Sequence, residues 1–156
     1  MKYKEVKRYY KSGQIMRHYF VDESGHGFGE YRRYHGNGQL CWHYFRCEGR
    51  YYGEVKAFNT GGTPHRHCLE DGKGNELATV VACGKPATNT EEQLIEIAKE
   101  HGLPLLSELP KSEAELTHWI LKHPDIPLLP PVPTPSKPTQ VGIINRIKQW
   151  GLRIVW

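Results

Sequence analysis

A unit of 24 to 25 residues occurs three times in the first half of the chain, and this repeat restricts the possible folds more than any other feature. The copies begin at Glu5, Glu30 and Glu54, and each continues through a base, an aromatic residue and a glycine. A histidine recurs in the second half of each copy, as His18, His43 and His67. Chance would not keep these residue types in step across two shifts, so the repeat is a structural unit.

Each repeat has the pattern of two short β-strands joined by a tight turn. Runs of aromatic and β-branched residues end at Ser-Gly, Asn-Gly or Gly-Gly. Glycine in these dipeptides supplies the positive φ that a tight hairpin turn requires. The sequence therefore predicts a mainly β fold, a single-layer antiparallel meander of repeated hairpins with about seven strands, the last of them at residues 77–83.

The repeat resembles the variant MORN repeat of many bacterial proteins, including antitoxins and immunity proteins of toxin–antitoxin pairs. The resemblance covers residues 3–76 and implies a single-layer sheet of stacked hairpins that serves as an interaction surface. It implies little about activity, because function depends on sites more than on folds. The matching motifs are Tyr10-Lys11-Ser12-Gly13-Gln14, Phe28-Gly29-Glu30-Tyr31, Tyr34-His35-Gly36-Asn37-Gly38-Gln39-Leu40 and Tyr52-Gly53-Glu54.

Composition excludes several classes of protein. Apolar residues make up 38% of the 156 residues, and no apolar run reaches the ~18 residues that span a bilayer. The basic start is not followed by an apolar stretch, so no secretory signal is visible and a cytoplasmic protein is expected. The sequence has no GxSxG, HExxH or P-loop motif, which predicts a protein that is not an enzyme and has no catalytic residues.

The recurring histidines do not predict a metal site or a cofactor. Equivalent positions in successive hairpins lie two strands apart, about 9–10 Å. Ligands of one zinc ion must each lie within about 2.0–2.3 Å of it. The four cysteines include no CxxC pair and fit a reducing compartment.

One face of the predicted sheet carries an acid, a base and an aromatic residue in each repeat, because side chains alternate between faces along a strand. The bases and aromatic residues of this row are Lys7, Tyr9, Arg32, Tyr34, Lys56 and Phe58. Cross-strand pairing that stabilises a thin sheet explains such a row. A surface for a protein partner is the functional interpretation. Nucleic acid is a further alternative, since bases stack on aromatic rings and Lys and Arg contact phosphates.

The charge and the spacing of apolar residues change after the predicted sheet. Residues 86–138 carry 4 Lys or Arg and 8 Asp or Glu. Capping boxes at Thr90 and Ser112, each followed by an apolar stripe, predict two short helices that pack on the sheet. Seven prolines in residues 124–138 predict an extended tether.

The last 18 residues form a basic amphipathic segment with three positive charges and no acidic residue. The residues predicted to bind a partner are Arg146, Ile147, Trp150, Ile154 and Trp156. Three alternatives stay open for this tail: docking back on the sheet, binding a partner protein, or contact with a membrane surface. The length of the predicted tether favours binding of the tail to a partner protein or membrane surface at a distance from the sheet.

The sequence as a whole predicts four regions: a repeat domain at 1–85, an acidic helical extension at 86–123, a Pro-rich linker at 124–138 and the basic tail at 139–156. The expected function is a protein-binding module of the antitoxin, inhibitor or adaptor type, acting through the repeat sheet and the tail. The alternatives are a nucleic-acid-binding protein and a peripheral membrane scaffold.

Overall fold

The computed structural model describes residues 2–130, and these residues form one seven-stranded antiparallel sheet followed by two helices. The strands pair in sequence order, so the sheet is an open meander, as the repeat predicts. They are β1 (Lys4–Tyr9), β2 (Ile15–Val21), β3 (Gly27–Tyr34), β4 (Leu40–Cys47), β5 (Arg50–Phe58), β6 (Pro64–Asp71) and β7 (Glu76–Ala82). The predicted fold class is confirmed.

The turn inside each repeat depends on one glycine. Gly13, Gly38 and Gly62 have φ values of 87°, 85° and 88°, a region that side chains with a Cβ disfavour. Each of these glycines also donates its N–H across the turn, as Gly13 does to the Tyr10 carbonyl at 3.0 Å. The Ser-Gly, Asn-Gly and Gly-Gly dipeptides therefore mark the tips of the hairpins.

Both predicted helices are present. Helix α1 (Glu91–Glu100) begins with a complete capping box between Thr90 and Gln93. Helix α2 (Glu113–Lys122) begins at Ser112, whose side chain accepts a hydrogen bond from Glu115 N. The Glu115 carboxylate accepts instead from Lys111 N, one residue before the N-cap, so the second box is not reciprocal.

The helices cover one face of the sheet, which we call the covered face; it carries the Glu and His of each repeat. Two apolar clusters lie beneath the helices. One contains Phe45, Leu106, Leu116, Trp119 and Leu128. The other contains Leu69, Ala78, Leu94, Ala98, Leu103 and Leu105. The opposite face, which we call the open face, is packed by Tyr31, Tyr44, Val55 and Cys68 together with Tyr19, Trp42 and Tyr51.

The structure departs from the predicted tether at its first residues. Pro127, Leu128 and Leu129 are buried on the sheet, and Leu128 is 3% exposed. Proline lacks an N–H but keeps its carbonyl, and burial of Leu128 in an apolar cluster and of Leu129 beside it stabilises this docking. The rest of the linker and the whole tail, including Arg146, Ile147, Trp150, Ile154 and Trp156, lie outside the described residues.

Within residues 2–130 no helix is long and apolar enough to cross a membrane.

His123 makes the stability of the α2 region depend on pH. Its ring lies 4.6 Å from that of Trp119 and is 7% exposed. Burial, helped by the charge of Lys122, lowers the pKa of His123 below 6.5. The unfolded chain therefore takes up this proton more readily than the folded chain, and stability is lost as the pH falls through the region below 6.5.

We therefore expect His123→Phe to reduce the loss of urea stability between pH 7.5 and pH 5.5. His118→Phe, at an exposed site on the same helix, controls for removal of a histidine. Equal pH dependence of the two variants would contradict this role of His123.

Candidate interaction surface

The row of acids, bases and aromatic residues predicted from the sequence lies on the covered face, and most of it is inaccessible. Arg32 and Tyr34 are buried, with 6% and 7% exposure, and Lys56 and Phe58 are half-buried. Lys7 and Tyr9 are exposed. A partner can therefore reach this row fully at β1 and only in part at Lys56 and Phe58.

Glu30 is the centre of a buried polar cluster on this face. Its carboxylate, 1% exposed, accepts from Arg32 Nη2 at 2.6 Å and lies 3.3 Å from His43 Nε2. Burial alone would raise the pKa of Glu30, but the charge of Arg32 and the bond to His43 lower it below its usual value. Arg32 also donates to the Pro130 carbonyl at 2.6 Å, so the cluster holds the returning chain on the sheet.

The returning chain docks at Glu30 through both backbone and side chain. Gly29 has a φ of 75° and makes room for the Pro127 ring, whose Cγ would lie 2.5 Å from a Cβ at this position. Glu30 N donates to the Pro127 carbonyl at 3.0 Å. Leu129 N donates to the Glu30 carboxylate at 3.1 Å. We call residues 126–129 the second docking segment.

The same contacts occur at Glu54, one repeat further along. Gly53 has a φ of 90° beneath the Pro104 ring. Glu54 N donates to the Pro104 carbonyl at 3.0 Å, and Leu106 N donates to the Glu54 carboxylate at 3.2 Å. We call residues 103–106 the first docking segment.

These docking segments are the feature that sequence reasoning missed. The signal was present: Leu-Pro-Leu-Leu at 103–106 recurs as Ile-Pro-Leu-Leu at 126–129, and Gly-Glu occurs at 29–30 and 53–54. A proline-rich run is typical of a spacer, so the leucines of residues 126–129 were not predicted to pack on the sheet.

The open face carries a row of arginines that the helices do not cover. Arg8, Arg17 and Arg33 are paired in register across β1, β2 and β3. Neighbouring strands are about 4.8 Å apart, so the three charges repel one another. None of the three makes an ion pair with any acidic residue among residues 2–130. A row of like charges that costs stability and has no counter-charge in this part of the chain favours an anionic partner.

Beside this row lies a rigid aromatic layer. The rings of Tyr31 and Tyr44 stack at 4.5 Å. The Arg46 guanidinium lies 5.0 Å from the Tyr19 ring and 4.7 Å from the Tyr31 ring. These ring faces are already occupied by each other and by the guanidinium, so they are not free to stack on nucleic-acid bases.

A cluster on β6 and β7 has metal-ligand residue types but a different role. The donor atoms of Cys68, Glu70 and Glu76 lie within 4.8 Å of one another. The Arg66 guanidinium donates to Glu70 at 3.1 Å and to Glu76 at 3.4 Å. Burial raises the pKa of the Cys68 thiol to about 11, against the opposing charge of Arg66. The two carboxylates of this cluster therefore bind the Arg66 guanidinium.

No protein-family model, curated protein or solved structure matches this chain.

Proposed function

We propose that this chain is a non-enzymatic protein-binding module that acts by occupying an acidic surface of a partner protein. The observation that supports this function is the arginine row Arg8, Arg17 and Arg33 beside the aromatic layer of the open face. Antitoxin, inhibitor and adaptor roles all fit a surface of this kind, and the resemblance to variant MORN repeats favours the antitoxin role.

The open face suits a protein partner for two reasons. Arginine and tyrosine are enriched in the buried centres of protein interfaces, where a planar guanidinium binds a carboxylate through two hydrogen bonds. The layer is also rigid before binding, since its rings and guanidinium groups pack on one another, which reduces the entropy cost of association.

Nucleic acid is the second candidate, because the arginine row would contact phosphates equally well. The occupied ring faces of Tyr31 and Tyr44 count against single-stranded nucleic acid, whose bases need free rings on which to stack. A duplex contacted only through its phosphates would bind with a steep salt dependence.

The test is capture of a partner from cell lysate by the full chain, compared with a triple variant Arg8→Gln, Arg17→Gln, Arg33→Gln. The matched control is Lys73→Gln, Lys85→Gln, Lys111→Gln, which removes the same charge at exposed positions elsewhere. We expect affinity for the purified partner to fall more than about tenfold in the arginine variant, equivalent to ~1.4 kcal/mol. The control should bind as the wild type does.

Three outcomes would contradict the proposal. Equal loss in both triple variants would show that only overall charge matters. Release of the captured material by nuclease would favour nucleic acid instead. A hydrolase or transferase activity that persists through repurification would contradict the non-enzymatic assignment.

A further inference from the structure

The helical extension consists of two similar units, each a capped helix followed by a docking segment. The first unit, residues 90–106, docks on the third repeat at Glu54, and the second, residues 112–129, docks on the second repeat at Glu30. The units therefore return along the sheet in reverse order, one repeat at a time. The next position in this order is the first repeat, at Glu5.

The first repeat has the polar groups of the other two but no docking segment among residues 2–130. His18 Nε2 lies 2.5 Å from the Glu5 carboxylate, and Lys7 Nζ lies 3.8 Å from it. The Glu5 side chain is 36% exposed, against 1% for Glu30. Strand β1 is the edge of the sheet, so no strand covers its outer side.

The residue opposite Glu5 on the neighbouring strand also corresponds to the residues opposite Glu30 and Glu54. Glu5 faces Phe20 across β1 and β2, as Glu30 faces Phe45 and as Glu54 faces Leu69. Phe45 and Leu69 each belong to an apolar cluster beneath a helix. Phe20 is only 1% exposed, yet it belongs to none of the three apolar clusters that the described residues form.

The sequence of the tail repeats that of the first unit. Residues 139–155 align with residues 90–106 without a gap, and both sequences begin with Thr and have apolar residues at the same spacing, followed by a matching Lys and Gly. The matched pairs are Thr90 with Thr139, Leu94 with Ile143, Ile95 with Ile144, Ala98 with Ile147, Lys99 with Lys148, Gly102 with Gly151, Leu103 with Leu152, Leu105 with Ile154, and Leu106 with Val155.

The tail departs from the first unit at Gly142, which aligns with Gln93 of the capping box, and at Arg146, which aligns with the partly buried Ile97. A further departure occurs on both sides of the contact. Arg153 stands where the docking segments have Pro104 and Pro127, and Lys4 stands where the sheet has Gly53 and Gly29. A Cβ at Gly53 would overlap the Pro104 carbonyl oxygen and would lie 2.6 Å from Pro104 Cγ, and Gly53 also has a φ of 90°. Lys4 carries a Cβ and has no positive φ, so residue 153 must lie further from β1 than Pro104 lies from Gly53.

Residues 131–138 are long enough to connect the second unit to the first repeat. The described chain ends at Pro130, whose carbonyl accepts from Arg32 on β3, and β1 lies two strand spacings away, about 9–10 Å. Residues 131–138 span up to ~25 Å at ~3.1 Å each when extended.

We propose that residues 139–155 form a third unit that docks on the first repeat of the same molecule. By equivalence with Leu106 and Leu129, Val155 N donates to the Glu5 carboxylate. Ile143, Ile147 and Ile154 then lie over Phe20. Trp150 aligns with the exposed His101, so docking leaves its side chain at the surface, where the predicted contact with a partner can still occur.

Trypsin digestion of the full chain tests this docking without any partner, and it involves a different face from the arginine row. Trypsin cuts after Arg146, Lys148 and Arg153 only where the tail leaves the sheet. We expect cleavage at these sites to be at least about tenfold faster in Glu5→Ala than in the wild type, because local opening sets the rate. Glu23→Ala, in an exposed turn, is the matched control and should keep the wild-type rate.

A second variant keeps the test independent of any effect of Glu5 on the sheet. Ile154→Asp places a charge at the position of the buried Leu105 and should expose the same sites while circular dichroism retains the β signal. Fast cleavage of the wild-type tail, or protection that survives both variants, would overturn the proposal. Protection that falls on dilution would also overturn it, because it would show that the tail docks on a second copy.

Discussion

Glu30→Ala is expected to lower the free energy of unfolding by about 3–5 kcal/mol, the usual cost of breaking a buried ion pair by removing one partner. The variant leaves the Arg32 guanidinium buried without its carboxylate, 2.6 Å away in the wild type. It also removes the acceptor for Leu129 N, so the second docking segment loses its side-chain contact.

The control for this substitution is Glu108→Ala, at the surface. Glu108 pairs with Lys122 at 2.9 Å, but both side chains are about a third exposed. Such pairs contribute about 0–1 kcal/mol. Urea denaturation at neutral pH measures both losses. If the two variants are equally stable, the Glu30 cluster does not hold the extension on the sheet.

Gly53→Ala is expected to cost about 2–5 kcal/mol, through backbone strain and a steric clash. A residue with a Cβ at a φ of 90° costs roughly 1–2 kcal/mol. The added methyl would also meet the ring and carbonyl of Pro104, and overpacking of this kind costs a further ~1–3 kcal/mol.

Gly62→Ala separates the two effects. Gly62 has a φ of 88°, but no atom lies within 4 Å of the position of its Cβ. This variant therefore has the strain without the clash and should lose only ~1–2 kcal/mol. Equal losses in thermal or urea unfolding would contradict the close approach of the first docking segment to Gly53.

Local patterns in the sequence were sufficient to predict the sheet and the helices. Strand alternation, turn glycines and capping boxes each depend on residues near one another in the chain. The docking segments could not be predicted in this way, because Leu129 N and the Glu30 carboxylate are 99 residues apart. Proline content favoured a spacer, and only comparison of Leu-Pro-Leu-Leu with Ile-Pro-Leu-Leu would have indicated otherwise.

The candidate surface was predicted only in part, for a similar reason. Alternation placed Arg32 and Tyr34 together on one face, which the structure confirms, but it does not say which face the helices cover. The repeat drew attention to residues that recur, whereas Arg17 and Arg33 come together through strand register. Pairing β1, β2 and β3 in register by hand would have found the arginine row.

The reverse order of the two units has a consequence for the way the chain folds as it leaves the ribosome. The contact between Leu106 and Glu54 closes a loop of 52 residues, and the contact between Leu129 and Glu30 closes one of 99. The longer loop encloses the shorter, so once the inner contact has formed, closing the outer one requires only the added residues to be ordered. The docking contacts are therefore expected to form first at the third repeat and then at the second, in the direction of the amino terminus. With the proposed docking of residues 139–155, β1 is the last strand of the sheet to be covered.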